Sequence, residues 1–435
     1  MAKQHKRLWI TGLLFFIALG IELLYIKSYH VYYFISQDGY LYSNIAENFL
    51  HGNGLVNSAN FKTGADNLVQ MIPKNRDYVI GPIYPLLLAL IYGLFGLKSY
   101  GMVVSVLHAV LGAAGAVLAY KTGEVLFGRK YALIPYALTL GYPLFAFWEM
   151  YVLTETTYVF AIWLFLYCLT RYAQEISRPK MSTLLILGGV IGFSNLVRPL
   201  LLLYFPVLGF WIFWMKGWRL KRSLRDFFLI VFMTVVVMSP WWIRNELKYH
   251  QFIPSSNYGS YEFYLGNNPR TITNSYFVFD QPSYDPAVKA RIDKLPVLEQ
   301  EKEYKSLGAS YILSHPVLFL ERTYAKEKNL FWQPVSPEEG QAYKMKGDFL
   351  DKWYLLLGLS GIILSLIWLK RYSFLLLYIL YYSFVVSMIT VVSGGRYRLP
   401  VMPAMILLGS LGIVLLLKGA GRLLGIPQEA DRRSF

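Results

Sequence analysis

Pro82-Ile83-Tyr84-Pro85-Leu86-Leu87-Leu88-Ala89-Leu90-Ile91-Tyr92-Gly93-Leu94-Phe95-Gly96-Leu97 is the stretch on which the topology turns. It is apolar, yet only about fifteen residues long and broken near its start by two prolines. A helix needs ~20 apolar residues to cross ~30 Å of hydrocarbon. Longer or comparable apolar runs lie on both sides, near 8–27, 101–120, 131–150, 152–170, 182–197, 199–215, 226–243, 351–369, 373–392 and 399–417. Basic clusters punctuate them: Lys121 with Arg129 and Lys130; Arg171, Arg178 and Lys180; Lys216 to Arg225; Lys370 with Arg371; Lys418, Arg422, Arg432 and Arg433. If 83–97 crossed, the basic N-terminus and the 121–130 cluster would fall on opposite sides. Read as a juxtamembrane or re-entrant helix, it leaves every basic cluster and both termini inside, as the positive-inside bias requires. The expectation is an all-α polytopic membrane protein with about ten transmembrane helices and two long outer loops, 28–100 and 245–350.

Composition agrees. Hydrophobic residues are 55% of the chain and charged residues 16%, which with runs of this length makes the bilayer the natural solvent. The start, Lys3 to Arg7 before Leu8–Ile26, has the look of a secretory signal, but no small-residue cleavage site follows, so it reads as an uncleaved first membrane helix. The single cysteine, Cys168, excludes an internal disulfide. The net charge of +16 is accounted for by the inner basic loops, with no nucleic-acid-binding motif beside them. Within 245–350 turn-rich stretches give way to helical patterns near 297–314 and 316–332, the makings of a mostly helical cap on the membrane.

This sidedness gathers a particular polar set on the outer face. Asp38, in Ile35-Ser36-Gln37-Asp38-Gly39-Tyr40, follows the first membrane helix. Leu41, Ile45, Phe49 and Leu50 after it mark the apolar face of a short helix that Gly52 can end. Asp38 can cap that helix, and a capping carboxylate is also a rigidly held one. Glu155, in Leu153-Thr154-Glu155-Thr156, opens the 152–170 run, where the helix dipole favours it. At the edge of hydrocarbon a carboxylate is costly and points to function; Glu149 nearby is a weaker candidate. Arginines stand against the charge bias: Arg198 at the tip of an outer hairpin, Arg244 at the end of 226–243, and Arg396 and Arg398 in Gly394-Gly395-Arg396-Tyr397-Arg398-Leu399-Pro400. A lone outer arginine can snorkel to lipid phosphates, whereas several facing two acids suggest a bound anion, since a guanidinium fork fits phosphate. Lys74 and Arg76 can join them. Most of the 35 Tyr and 11 Trp read as interfacial belt residues.

Other classes find less support. The scattered histidines have no metal-ligand spacing, His108 on an apolar helix reads as a packed side chain, and Gly52-Asn53-Gly54 is a turn rather than a phosphate loop.

These landmarks, in this order, resemble the GT-C superfamily of membrane glycosyltransferases, in particular the protein O-mannosyltransferase and aminoarabinose transferase group with its RgtA/B/C/D-like members. Asp38 with Tyr40 is similar to that family's first acidic motif. Gly81-Pro82-Ile83-Tyr84-Pro85 with Leu94-Phe95-Gly96 is similar to its juxtamembrane helix, Thr154-Glu155 to its second acidic site, and Arg198-Pro199 to the following outer turn. Pro240-Trp241 with Arg244-Asn245 and Arg396-Tyr397-Arg398-Leu399-Pro400 recur late in such chains.

The resemblance implies inverting transfer of a sugar from a polyprenyl-phosphate-linked donor to an extracytoplasmic glycan, lipid or protein acceptor. It implies Asp38 as general base, with Glu155 orienting the acceptor or helping to hold a divalent cation. Arg198, Arg244, Arg396 and Arg398 would serve the donor phosphate, with Tyr40, Lys74, Arg76, Tyr84 and Tyr397 as donor or acceptor contacts. No metal site follows from the residues themselves. Pro73-Lys74-Asn75-Arg76-Asp77 lacks the acidic residue and lysine that the aminoarabinose transferases place before their proline.

The implied organisation is a catalytic transmembrane module over 1–244, an extracytoplasmic cap over 245–350, and C-terminal helices with a cytoplasmic tail over 351–435, in a bacterial cytoplasmic membrane. A membrane O-antigen polymerase or ligase is the runner-up, though such proteins need no acid directly after the first helix. A transporter would place polar groups at mid-membrane, whereas the charges singled out here stand at helix ends.

Overall fold

The computed structural model describes residues 2–28, 37–57, 79–96, 100–256, 259–271, 284–332, 347–390 and 395–423. In chain order its helices are α1 (Ala2–Ser28), α2 (Gln37–Leu50), α3 (Ile83–Phe95), α4 (Tyr100–Phe127), α5 (Leu133–Gly141), α6 (Pro143–Glu149), α7 (Glu155–Gln174), α8 (Met181–Val197) and α9 (Phe205–Met215). There follow α10 (Leu220–Tyr249), α11 (Gly259–Gly266), α12 (Pro286–Ile292), α13 (Val297–Ser314), α14 (Pro316–Trp332), α15 (Gly347–Ser365), α16 (Leu369–Ile389), α17 (Gly395–Arg398) and α18 (Met402–Leu423). Among the described residues there is no strand. The all-α reading holds.

Among the described residues, five helical stretches are long and apolar enough to cross a membrane, and six if the bent pair α5–α6 counts as one span. The expectation was about ten. The difference lies partly in α3, α8 and the Pro199–Met215 stretch, which are apolar but short. It lies partly in Phe349–Ile389, which by composition is one apolar stretch of 41 residues. Contacts show that this stretch doubles back. Asp351 near its start binds Arg398, and Met388 near its end accepts from Asn267 of the 245–350 segment. Its middle lies at the opposite end of the bundle, where Arg371 donates to the Leu126 carbonyl at 2.6 Å. The turn falls at the 3-10 segment Leu366–Trp368.

The basic loops meet at that same opposite end. Arg7 pairs with Glu124 at 3.7 Å, Gln174 donates to the Val125 carbonyl, and buried Asp226 collects Lys216, Arg225 and the Tyr172 hydroxyl. Between the two ends, helices approach through small residues, as they do where lipid gives no hydrophobic drive to association. A Cβ at Gly188 would lie 2.3 Å from the Ile230 carbonyl oxygen, locking α8 against α10, and one at Gly361 would lie 2.1 Å from that of Leu408, locking α15 against α18.

The short helix foreseen after Asp38 is α2. It buries Leu41 and Ile45, whereas Phe49 and Leu50 remain largely exposed, so its inward face is shorter than the pattern suggested. Gly52, at φ +81°, takes the left-handed conformation that ends the turn. The two helices foreseen in the outer loop are α13 and α14. The loop is held down by α11, whose Gly266 would carry a Cβ 2.6 Å from the Ile389 carbonyl oxygen.

Candidate active site

Each acidic and basic group at the other end is set by a local feature of its segment. The residue before a proline is kept out of the helical region, so α8 stops at Arg198, extended at φ −145° and ψ 128° before Pro199. The guanidinium is thereby turned sideways toward the start of α7. There Arg198 Nε donates to Thr154 Oγ1 at 2.7 Å and its Nη2 to Glu155 Oε1 at 2.5 Å. Arg396, on the short α17, donates through Nε to the same Glu155 oxygen and through Nη2 to Asp38 Oδ2 at 2.9 Å. Its guanidinium carbon lies 5.9 Å from the centre of the Trp148 ring. One arginine thus ties Asp38 to Glu155.

The two carboxylates sit in different surroundings. Glu155 is 1% exposed and Asp38 33%. A buried carboxylate is tolerated only when paired, and two guanidiniums on one oxygen pair Glu155. Its other oxygen, Oε2, has no hydrogen-bond partner among the described residues. Asp38 opens to solvent on one side, so a neutral hydroxyl can reach it. Its carboxylate binds Arg396 rather than capping α2. Arg198 and Arg396 each spend Nε and Nη2 on these contacts, and among the described residues Nη1 of neither donates a hydrogen bond.

A further carboxylate was not foreseen. Glu262, on α11, faces Asp38 and Arg396. Burial, reinforced by the Asp38 charge and opposed by Arg396, pushes its carboxyl up to about 7. Its position depends on the docking of α11, fixed by Asn267 on the Met388 carbonyl and by Lys326 on the Gly266 carbonyl at 2.8 Å. The only sequence signal was an acid among aromatics, Tyr261-Glu262-Phe263-Tyr264, ahead of Gly266-Asn267-Asn268. Tyr42 stands edge-on to Tyr84 with ring centres 5.2 Å apart. Burial, with help from Asp38, pushes the Tyr42 hydroxyl up to about 12, so it stays a donor.

Not every residue picked from the sequence joins the cluster. Arg398 is fully buried, bound to Asp351 and to the Leu330 and Phe331 carbonyls at 3.0 Å. It clamps α17 to α14 and α15, and its expected phosphate contact is corrected on that ground. Arg244 donates to the Leu55 carbonyl and Asn245, and lies over the rings of Trp241 and Tyr249. Those partners are separate from the acid–arginine set. Tyr84 is fully buried against Tyr42 and His108, which removes it as a surface contact. Tyr40 is half-buried two residues beyond Asp38, and Tyr397 lies half-buried beside Arg396 with its carbonyl taken by the Tyr382 hydroxyl. Lys74 and Arg76 lie outside the described residues.

A divalent cation fits this arrangement poorly. Arg396 already bridges the two acids that would share the ion. Among the described residues, no three His, Cys, Asp or Glu side chains group so as to hold a metal.

Residues 80–243 match the model of the family described as dolichyl-phosphate-mannose-protein mannosyltransferase. That match takes in less than half of the 435-residue chain. Solved structures similar to it include ArnT from Cupriavidus metallidurans bound to undecaprenyl phosphate, at 13% identity over 97% of this chain and 81% of that one, with a TM-score of 0.46. The same protein in the apo state gives 14% identity over 94% and 78%, with a TM-score of 0.41. No curated protein matches the chain.

Proposed function

We propose that the protein moves a sugar, with inversion, from a polyprenyl-phosphate-linked donor to an extracytoplasmic acceptor, a glycan, lipid or protein. The observation that carries the reading is the Arg396 bridge between Asp38 and Glu155, with Arg198 on the same Glu155 oxygen. Inversion requires one displacement. The acceptor oxygen bonds to the anomeric carbon as the bond from that carbon to the lipid phosphate oxygen breaks, and the acceptor proton passes to a base. Asp38, the more open carboxylate, takes that proton. Glu262 beside it is a second proton acceptor near neutral pH. The Nη1 groups of Arg198 and Arg396 face the departing phosphate and stabilise charge that grows in the transition state. Glu155 orients both guanidiniums, so it acts through them.

The family description and the undecaprenyl phosphate bound to ArnT support a lipid-phosphate donor. The inner-membrane setting, with the site outside and both termini inside, is supported by the basic loops meeting at the end opposite the site. On this reading 1–244 supplies Asp38, Glu155 and Arg198, the 245–350 cap supplies Glu262, and 351–435 supplies Arg396. The test is incubation of purified protein with a panel of polyprenyl-phosphate sugars and candidate acceptors. Mass analysis should find free polyprenyl phosphate, and NMR of the product should find the anomeric configuration opposite to the donor's. Retained configuration, or no release from any donor, would overturn the proposal.

A further inference from the structure

Behind the acid–arginine cluster lies a second pair of acids that the transfer reaction does not use. Glu22 of α1 is 3% exposed and Glu149, the last residue of α6, is 1% exposed. They converge on α4 at Gly112, where a Cβ would lie 1.9 Å from Glu149 Oε1 and 3.6 Å from Glu22 Oε1. Among the described residues, both oxygens of Glu149 and Oε2 of Glu22 are buried with no hydrogen-bond partner. The acids line a small cavity with Trp148, Thr156 and Trp163. The indole N–H of each tryptophan and the Thr156 hydroxyl are likewise buried without partners. The cavity leaves about 20 Å³ for the centre of a water-sized guest, room for one or two such guests. None of the residues lining it is basic.

An unpaired carboxylate in an apolar interior is too costly to persist, and two side by side add their repulsion. In a membrane bundle such groups mark a bound ion or a proton path. The unpartnered oxygens call for a cation, and the cavity size calls for a small one. A magnesium ion gives up its waters reluctantly, and calcium takes six to eight oxygens; two carboxylates and one hydroxyl satisfy neither.

We propose that Glu22, Glu149 and Thr156 form a buried binding site for one small monovalent inorganic cation, set among α1, α4, α6 and α7. The carboxylates and the Thr156 oxygen ligate the ion, while Trp148 and Trp163 wall the cavity around it. The site shares its wall with the cluster in front. Trp148 lies against Arg396 and precedes Glu149, and Thr156 follows Glu155, so the ion braces the α6–α7 corner from which the cluster is built. The titratable groups around the pair are Tyr25 and Tyr136 beside Glu22 and His108, whose Nδ1 meets the Glu149 carbonyl at 2.9 Å.

The experiment compares thermal unfolding of the purified full chain in sodium, potassium and choline chloride at equal ionic strength and fixed pH, with retention of radioactive sodium measured alongside. Sodium or potassium should raise the wild-type midpoint above that in choline by on the order of 2 °C or more, with one ion retained per chain. Glu149→Gln and Glu22→Gln keep the side-chain shape and remove the repulsion. Each should melt at least as high as wild type in choline and lose the ion response. A wild-type midpoint indifferent to sodium and potassium, with no retained ion, overturns the proposal without any variant. So does a midpoint that follows pH alone, which would mean that the acids share a proton. An ion response that survives both substitutions would also overturn it.

Discussion

Replacing Arg396 by alanine removes the side chain that ties Asp38 to Glu155, and the structure separates the cost to folding from the cost to catalysis. The Arg396–Asp38 contact is partly open, with Asp38 one-third exposed, so its loss costs about 0–1 kcal/mol. The contact to buried Glu155 is a charge-assisted bond worth about 1.5–3 kcal/mol. Arg198 stays on the same oxygen, so that carboxylate is not stranded. Removing a preorganised donor from the position where transition-state charge develops costs about 2.7–4 kcal/mol, on the order of 10² to 10³ in kcat. The variant should therefore fold, melt a few degrees lower, and turn over at least a hundredfold more slowly, as ~2.7 kcal/mol implies. Arg396→Lys restores the charge without the planar fork and should recover only part of the rate. The assay is release of polyprenyl phosphate from a lipid-linked sugar, with donor and acceptor varied separately. Donor dependence should change more than acceptor dependence. A variant that melts like wild type and keeps its rate within a few-fold would show that the Arg396 bridge takes no part in transfer.

Glu262 gives a pH prediction of definite sign. Its carboxyl is pushed up to about 7, above an unfolded value of ~4.3, so the folded state holds a proton that the unfolded chain has released. Stability should fall as pH rises through that interval, and Glu262→Gln should flatten this dependence in thermal melts. Acceptor-dependent turnover should rise as pH passes about 7 in wild type and lose that rise in Glu262→Gln. Arg398→Ala should leave buried Asp351 with the Tyr142 hydroxyl but without its guanidinium counter-charge, at a cost of about 3–5 kcal/mol. Donor affinity of the protein that folds should be unchanged, readable as a lower midpoint with an unaltered KM for the lipid donor.

The cluster was legible in the sequence wherever sidedness alone decides. Asp38, Glu155, Arg198 and Arg396 each stand at a helix end, and the alternation of basic loops is enough to put those ends together. Arg398 was not separable from Arg396 by the same logic. The two are two residues apart on one helical turn, so they face different directions, and only packing decides which one meets Asp351. Glu262 depends on how α11 docks on the end of α16, which no local pattern reports. The Glu22–Glu149 pair joins two helices distant in sequence, and hydropathy registers Glu22 only as one charge in an apolar run. The turn inside Phe349–Ile389 was legible too, because Lys370 and Arg371 divide it into the runs 351–369 and 373–392, and Arg371 is found on the Leu126 carbonyl at the end opposite Asp351 and Met388.

The most direct test of the account is a single-turnover comparison of wild type and Asp38→Asn, with enzyme in excess over a polyprenyl-phosphate sugar and acceptor added last. The account predicts that the variant is folded, binds the lipid donor, and releases almost no polyprenyl phosphate when the acceptor arrives. Release at the wild-type rate would contradict it, since the proton of the acceptor hydroxyl would then be leaving by a route in which Asp38 has no part.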